Sequence, residues 1–173
     1  MSTIGIFYGS WMNNTKEAAN RIKAELETLT NQRVDVFDIA HTRLKEMERF
    51  DRVLIGIPTW DIGNLQRDWE SAMPQFADLN LSDRLVALFG CGDQQGYPDT
   101  FMDGIGILGH HARTCGATIV GYWPTQGYDF TDSLGVEDGQ FIGLALDNDN
   151  QRKLTAGRIK QWAKQLVGEF GLG

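Results

Sequence analysis

Wholly apolar runs alternate along the chain with segments of helical period, and this alternation restricts the fold more than any other feature. "TIGIFY" at 3–8, "DRVLIGIP" at 51–58 and "RLVALFGCG" at 84–92 are apolar without a polar face, while "RVDVFDI" at 33–39 is more polar and is expected nearer an edge. "ATIVGYW" at 117–123 begins a fifth strand. Between these runs, Ala19, Ile22, Leu26 and Leu29 recur at spacings of three and four, as do Leu65, Trp69, Met73 and Phe76. Phe101, Ile105, Leu108 and Ala112 trace another helix, and Ile159, Trp162, Leu166 and Phe170 the last. Strands without alternation are buried on both faces. Helices between them imply parallel pairing through right-handed crossovers. The expected fold is α/β: one domain over 1–173, three layers, a five-stranded parallel sheet of order 2-1-3-4-5 and helices on both faces. The strand order follows from the fold class, since periodicity does not give it.

The rhythm breaks after Trp123. The polar, glycine-rich stretch "PTQGYDFTDSLGVEDG" at 124–139 precedes a new apolar run, "QFIGLAL" at 140–146. Either an excursion interrupts the fifth strand or two short strands lie here, and a loop of this length in a compact domain is commonly functional. Composition excludes several classes. A net charge of -7 disfavours electrostatic capture of nucleic acid. No apolar run approaches the roughly 18 residues of a membrane span, and Met1-Ser2-Thr3 leads straight into a strand-like run with no signal-peptide pattern. Cys91 and Cys115 form neither a disulfide framework nor a metal-ligand spacing, as expected for free thiols in a reducing cytoplasm.

In an open α/β sheet, ligands bind beyond the carboxyl ends of the strands near the switch in strand order. Three loops occupy such places. Ser10-Trp11-Met12-Asn13-Asn14-Thr15 lies between the first strand and the first helix, where unpaired N–H groups and the helix dipole attract phosphate. Ser10 and Thr15 offer hydroxyls, and Asn13 and Asn14 tolerate positive φ. The same residues also suit a plain N-capped turn. Pro58-Thr59-Trp60-Asp61-Ile62-Gly63 follows the third strand, with Trp60 placed either to cover a planar ligand or to fold back onto the core. Cys91-Gly92-Asp93-Gln94-Gln95-Gly96-Tyr97 follows the fourth. Two aromatics on adjacent loops suggest a flat heteroaromatic ring held between them.

"IPTWDIGNLQRDWE" at 57–70, "LFGCGDQQGYPDTF" at 88–101 and "GYWPTQGYDF" at 121–130, with "FIGLALDNDNQ" at 141–151, strongly resemble the long-chain bacterial flavodoxins over nearly the whole chain. The resemblance implies a flavodoxin-like fold in which the 124–139 excursion splits strand five. It also implies a low-potential electron carrier that binds one FMN non-covalently and moves one electron at a time between redox partner proteins, with no substrate turnover of its own. Carried across position by position, Trp60 and Tyr97 would flank the isoalloxazine. Pro58, Thr59, Asp61, Ile62 and Gly63 would form the loop beside it, with the Asp61 carbonyl accepting the proton at flavin N5 and Gly63 giving the turn its freedom. Cys91, Gly92, Asp93 and Gln95 would line the other side, Asp93 near the pyrimidine end. Ser10 to Thr15 would hold the phosphate, and Asp147 would reach the ribityl chain. Partners implied are a ferredoxin/flavodoxin-NADP reductase and low-potential electron acceptors, met by a cytoplasmic monomer through basic patches on their surfaces.

The opening loop departs from the family's Thr/Ser-x-Thr-Gly-x-Thr arrangement: Met12 stands for the central Thr and Asn13 for the Gly. A hydrogen bond to a charged group contributes about 1.5–3 kcal/mol, roughly one to two decades in affinity. FMN is therefore expected to bind less tightly than is usual for the family. Other readings are an FMN-dependent NAD(P)H quinone reductase, or a non-redox binding module whose phosphate loop is degenerate. "GIGILG" at 104–109 spells GxGxxG, but no strand precedes it and its apolar residues fit a helix interior. No metal site is expected from His41, His110 and His111. Asp147 and Asp149 read as a helix start more readily than as a calcium loop.

Overall fold

Strands β1 (Ile4–Tyr8), β3 (Arg52–Pro58) and β4 (Leu85–Cys91) are buried along almost their whole length. Successive side chains of a strand point to opposite faces, so this burial requires cover on both sides of the sheet. The computed structural model describes residues 3–60 and 63–173. The remaining strands and helices, in chain order, are α1 (Asn14–Thr30), β2 (Val34–Asp38), α2 (Arg67–Ala72), α3 (Asp103–Thr114), β5 (Thr118–Val120), β6 (Trp123–Pro124), β7 (Val136–Glu137), β8 (Gln140–Phe141), β9 (Gly143–Leu146) and α4 (Asn148–Glu169). The main sheet is parallel with order β2-β1-β3-β4-β5, as expected. α1 packs beside α4, and α3 lies over β3 and β4.

The fifth strand is split. β5 pairs with the first half of β4, Leu85↔Thr118 to Ala87↔Val120. β9 continues along the second half, Leu88↔Gly143 to Cys91↔Leu146. Trp123, expected in strand five, instead pairs with Phe141 in a separate antiparallel sheet of order β6-β8-β7. The run 140–146 is accordingly shared between two sheets.

Two local expectations change. The helix read over Leu65–Phe76 is α-helical only from Arg67 to Ala72 and continues as a 3₁₀ turn to Asp78, with Pro74 at the start of that turn; a proline cannot donate to the helix ladder. Leu29, placed on the buried stripe of α1, is 40% exposed near the helix end. A 3₁₀ turn at Leu44–Arg49, which no apolar period announces, buries Leu44 and Met47 between β2 and β3.

The glycines of "GIGILG" are explained by packing. A Cβ on Gly104 would stand 2.8 Å from Thr59 Oγ1, on Gly106 2.2 Å from the Leu134 carbonyl oxygen, and on Gly109 2.6 Å from Ile142 Cδ1. They let the 124–139 excursion and the loop after β3 lie directly on α3.

Candidate functional site

The loop between β1 and α1 begins at Gly9, where a Cβ would meet the Gln66 Oε1 at 2.4 Å. Gln66 is buried and bonds back, its Nε2 donating to the Ser10 carbonyl at 3.4 Å and its Oε1 accepting from Trp69 N at 3.1 Å. Met12 (φ 55°) and Asn13 (φ 66°) are both left-handed, a conformation uncommon for non-glycine residues and tolerated best by Asn. Asn13 stands at the N-cap of α1 yet makes no side-chain capping bond. Ser10 Oγ instead accepts from Lys16 N at 3.2 Å. The N–H groups of Asn14 and Thr15 belong to the first helical turn, which has no carbonyl one turn back to receive them.

Thr15 is fully buried, and its Oγ1 completes no hydrogen bond with a described residue. Its neighbour is the Cys91 thiol, pushed up to about 12 by burial against a smaller downward pull from Thr15. A buried hydroxyl without a partner is costly to leave so. Met12 is 78% exposed, and Trp11, 57% exposed, turns to the wall of the neighbouring cleft. Asn14 Oδ1 accepts from Asn148 Nδ2 at 3.4 Å, tying the loop to the start of α4.

Beyond this loop opens a cleft of about 490 Å³, lined by Trp11, Pro58, Trp60 and Tyr97 together with Asn64, Leu65, Gln66 and Arg67. Trp60 is half-buried, and its Nε1 is buried without a partner among the described residues. Gly63 N donates to the Trp60 carbonyl at 3.3 Å, closing the turn. Gly63 has φ +85°, and a Cβ there would stand 2.7 Å from Asp103 Oδ2. Asp103 is itself buried, which raises its pKa against the hydrogen bond from Leu134 N. Asp61 and Ile62, expected beside the ring, lie outside the described residues.

The third loop is held by its own polar groups. The Asp93 carboxylate accepts from Gly96 N at 2.7 Å, Gln95 N at 3.1 Å and Asn150 Nδ2 at 2.8 Å. Burial alone would raise its pKa, but these bonds prevail and lower it. Buried Gln94 donates from its backbone and side-chain nitrogens to Asp147 Oδ2 at 3.1 and 2.7 Å, and its Oε1 accepts from Asp129 N at 2.6 Å. Thr131 N and Asp132 N both donate to the Pro98 carbonyl. The 124–139 excursion thus braces the loop that carries Tyr97, which is 37% exposed.

The structure brings Trp11, Pro58, Trp60 and Tyr97 to one cleft and ties the Ser10 carbonyl to its wall through Gln66, with Asn13, Asn14 and Thr15 following at the start of α1, but it uses other expected residues differently. Thr59 is 3% exposed, and its Oγ1 accepts from Gly104 N at 2.8 Å, anchoring the loop to α3. Cys91 and Gly92 are buried below the loop, and Gln95 enters through its backbone. Asp147, expected to reach the ribityl chain, is 0% exposed; its Oδ1 caps α4 at Asn150 N (3.0 Å) and its Oδ2 receives Gln94 and Asn150 Nδ2, so both oxygens are engaged within the protein. Gln66 and Gln94 were missed. The one sequence signal for Gln66 is its place before the acidic first turn Arg67-Asp68-Trp69-Glu70, and Gln94 has none. Among the described residues no group of three or more His, Cys, Asp or Glu side chains is placed to hold a metal.

Comparison with known proteins agrees with this geometry. Residues 6–162 match the family model described as Flavodoxin. The chain is 44% identical to a flavodoxin of Picosynechococcus sp. over 99% of its own length and 100% of that protein's. It is 43% identical to flavodoxin 1 of Escherichia coli over 99% and 97%. Among solved structures it is similar to Fusobacterium nucleatum flavodoxin bound to flavin mononucleotide, with a TM-score of 0.91 at 30% identity, covering 98% of this chain and 99% of the other. An orphaned hydroxyl behind a left-handed loop, an aromatic cleft beside it, and similarity along the full length agree: the chain belongs to the long-chain flavodoxin family.

Proposed function

We propose that the chain is an electron carrier that holds FMN non-covalently in the cleft between Trp60 and Tyr97. The observation that carries this reading is the cleft that Trp60 and Tyr97 line together with Trp11 of the loop before α1, a loop whose buried Thr15 Oγ1 completes no hydrogen bond within geometric limits among the described residues. The donor set fits a phosphate. Ser10 Oγ accepts from Lys16 N and so keeps its own hydrogen for a ligand, Thr15 Oγ1 is unused, and the first-turn N–H groups of α1 point out of the helix. Asn13 Nδ2 supplies the donor that Met12 removes. Trp60 and Tyr97 exclude water from the ring, and Gly63, in the left-handed region at φ +85°, bonds back to the Trp60 carbonyl beside it. FMN, when bound, accepts and releases electrons one at a time.

Asp93 keeps its negative charge near the cleft, because its lowered pKa leaves it ionised at neutral pH. A fixed charge at about 4 Å and an effective dielectric near 20 disfavours added negative charge by up to about 4 kcal/mol, which favours a low potential. The acidic surface, net -7, suits a monomer in the cytoplasm docking to basic patches on a ferredoxin/flavodoxin-NADP reductase and on low-potential acceptors. No helix among the described residues is long and apolar enough to cross a membrane.

Titration of apoprotein with FMN tests the reading. Quenching of flavin fluorescence with a dissociation constant in the micromolar range or tighter is expected. No binding at micromolar FMN would sink the carrier and favour the binding module. Steady NAD(P)H oxidation by the loaded protein alone would favour the quinone reductase.

A further inference from the structure

A second concavity, polar and of about 670 Å³, lies beside the cleft between the turn after β2 and the outer face of α2. His41, Thr42, Arg43, Arg67, Ser71 and Gln75 face it. Arg33, Arg49 and Arg113 elsewhere each meet a carboxylate. Among the described residues the guanidinium groups of Arg43 and Arg67 have no such partner, nor any other hydrogen bond. Gln75 Oε1 receives Leu44 N at 2.8 Å, which leaves its NH₂ free, and Asp68, also on the wall, accepts from Gln66 Nε2 at 2.8 Å through Oδ2 only. Against that single carboxylate stand two guanidinium forks, two hydroxyls and an amide donor, gathered in one hollow on a chain of net charge -7.

A donor-rich hollow with unpaired guanidinium groups matches phosphate, because the planar fork of arginine presents parallel N–H groups to phosphate oxygens. Its volume exceeds that of one phosphate and falls within the roughly 300–1,000 Å³ of small-molecule sites. Arg67 also lines the aromatic cleft, so a molecule anchored in the groove extends toward the cleft's edge. We propose that this groove binds the phosphate end of a phosphorylated small molecule, gripped by Arg43 and Arg67 and oriented by Thr42, Ser71 and the Gln75 amide. The site is separate from the loop at 10–15 and does not depend on what that loop holds.

The test uses inorganic pyrophosphate, titrated at low salt into the full chain with FMN added, read by backbone amide NMR shifts. Saturable shifts confined to 39–43 and 67–75, with a dissociation constant of about 1 mM or tighter, are expected. The double variant Arg43→Ala with Arg67→Ala should weaken binding at least about tenfold. Both side chains are exposed and unpartnered among the described residues, so the fold should persist, checked by an unchanged amide spectrum elsewhere. A control double variant, Lys160→Ala with Lys164→Ala, should bind as the parent does. The proposal is overturned by an absence of saturation, by an equal loss in the lysine control, or by shifts centred on 10–15. It is also overturned if hexaglutamate binds more tightly than pyrophosphate, which would make the groove a docking face for an acidic protein. Failure of FMN to bind would leave the pyrophosphate result on apoprotein to stand or fall alone.

Discussion

The loops at 10–15 and 93–98 border the same cleft and are built on opposite plans. The second is complete in itself: Asp93 closes its own turn, Gln94 is anchored to Asp147 and Asp129, and the Pro98 carbonyl takes two bonds from the excursion. The first carries two left-handed non-glycine residues, an uncapped Asn13 and a buried hydroxyl with no partner. One loop is finished by the protein and the other is finished by what it binds. Removing a polar group should therefore cost stability in the second loop and affinity in the first.

The largest effect should come from Asp147→Ala. It strips buried Gln94 of its acceptor and α4 of its cap, leaving two or three donors unpaired at about 1–3 kcal/mol each. A loss of roughly 3–5 kcal/mol is expected in urea unfolding of the apoprotein; a loss below about 1 kcal/mol would mean that the 93–98 loop is not held as described. Thr15→Val should do the reverse. The isosteric methyl leaves no orphaned hydroxyl, so apoprotein stability should hold or rise, while FMN affinity falls about 10- to 100-fold through loss of a charge-assisted bond. If affinity is unchanged in a calorimetric titration, Thr15 is not a ligand and the comparison fails on that side.

These two residues also show what was legible in the sequence. The strands of the sheet follow from apolar runs and their spacing, because burial on both faces leaves a direct imprint on composition; their order came from the fold class and the split strand from the family resemblance. Thr15 was singled out from its place at the start of a helix. Asp147 shows the ambiguity of local pattern, since an acidic residue after a strand reads alike whether it faces a ligand or caps a helix; the structure shows the cap. Gln94 was invisible, since its role lies in contacts with residues 129 and 147 that no local pattern encodes. The close neighbours of the α3 glycines, Thr59 for Gly104, the Leu134 carbonyl for Gly106 and Ile142 for Gly109, are likewise set by tertiary approach alone.

Smaller effects sharpen the contrast. Met12→Gly should stabilise apoprotein by about 0.5–1 kcal/mol, the left-handed penalty of about 1–2 kcal/mol less the chain entropy glycine adds. A thermal shift of the opposite sign would show that Met12 packs in a way its 78% exposure does not suggest. Asp93 gives the mildest signal. Its folded pKa is depressed, so its contribution is fully present above the unfolded carboxylate value of about 3.9 and is lost as pH falls through the lower folded value. Asp93→Asn should lower stability near neutrality, where the contribution is full, and matter least at low pH, where it is already lost, so that the acid limb flattens; an identical acid limb would remove Asp93 from the account of that loop.

The split fifth strand reaches beyond the cleft. A long, flat outer strand would present a continuous row of backbone groups on which another chain could build. Here that margin consists of a three-residue piece, Thr118–Val120, and a four-residue piece, Gly143–Leu146, with the small antiparallel sheet threaded between them in sequence. Neither piece is long enough to template a foreign strand. The interruption that braces the binding loop also works against fibre formation, so variants that shorten the excursion and fuse the two pieces should be judged for aggregation as well as for flavin.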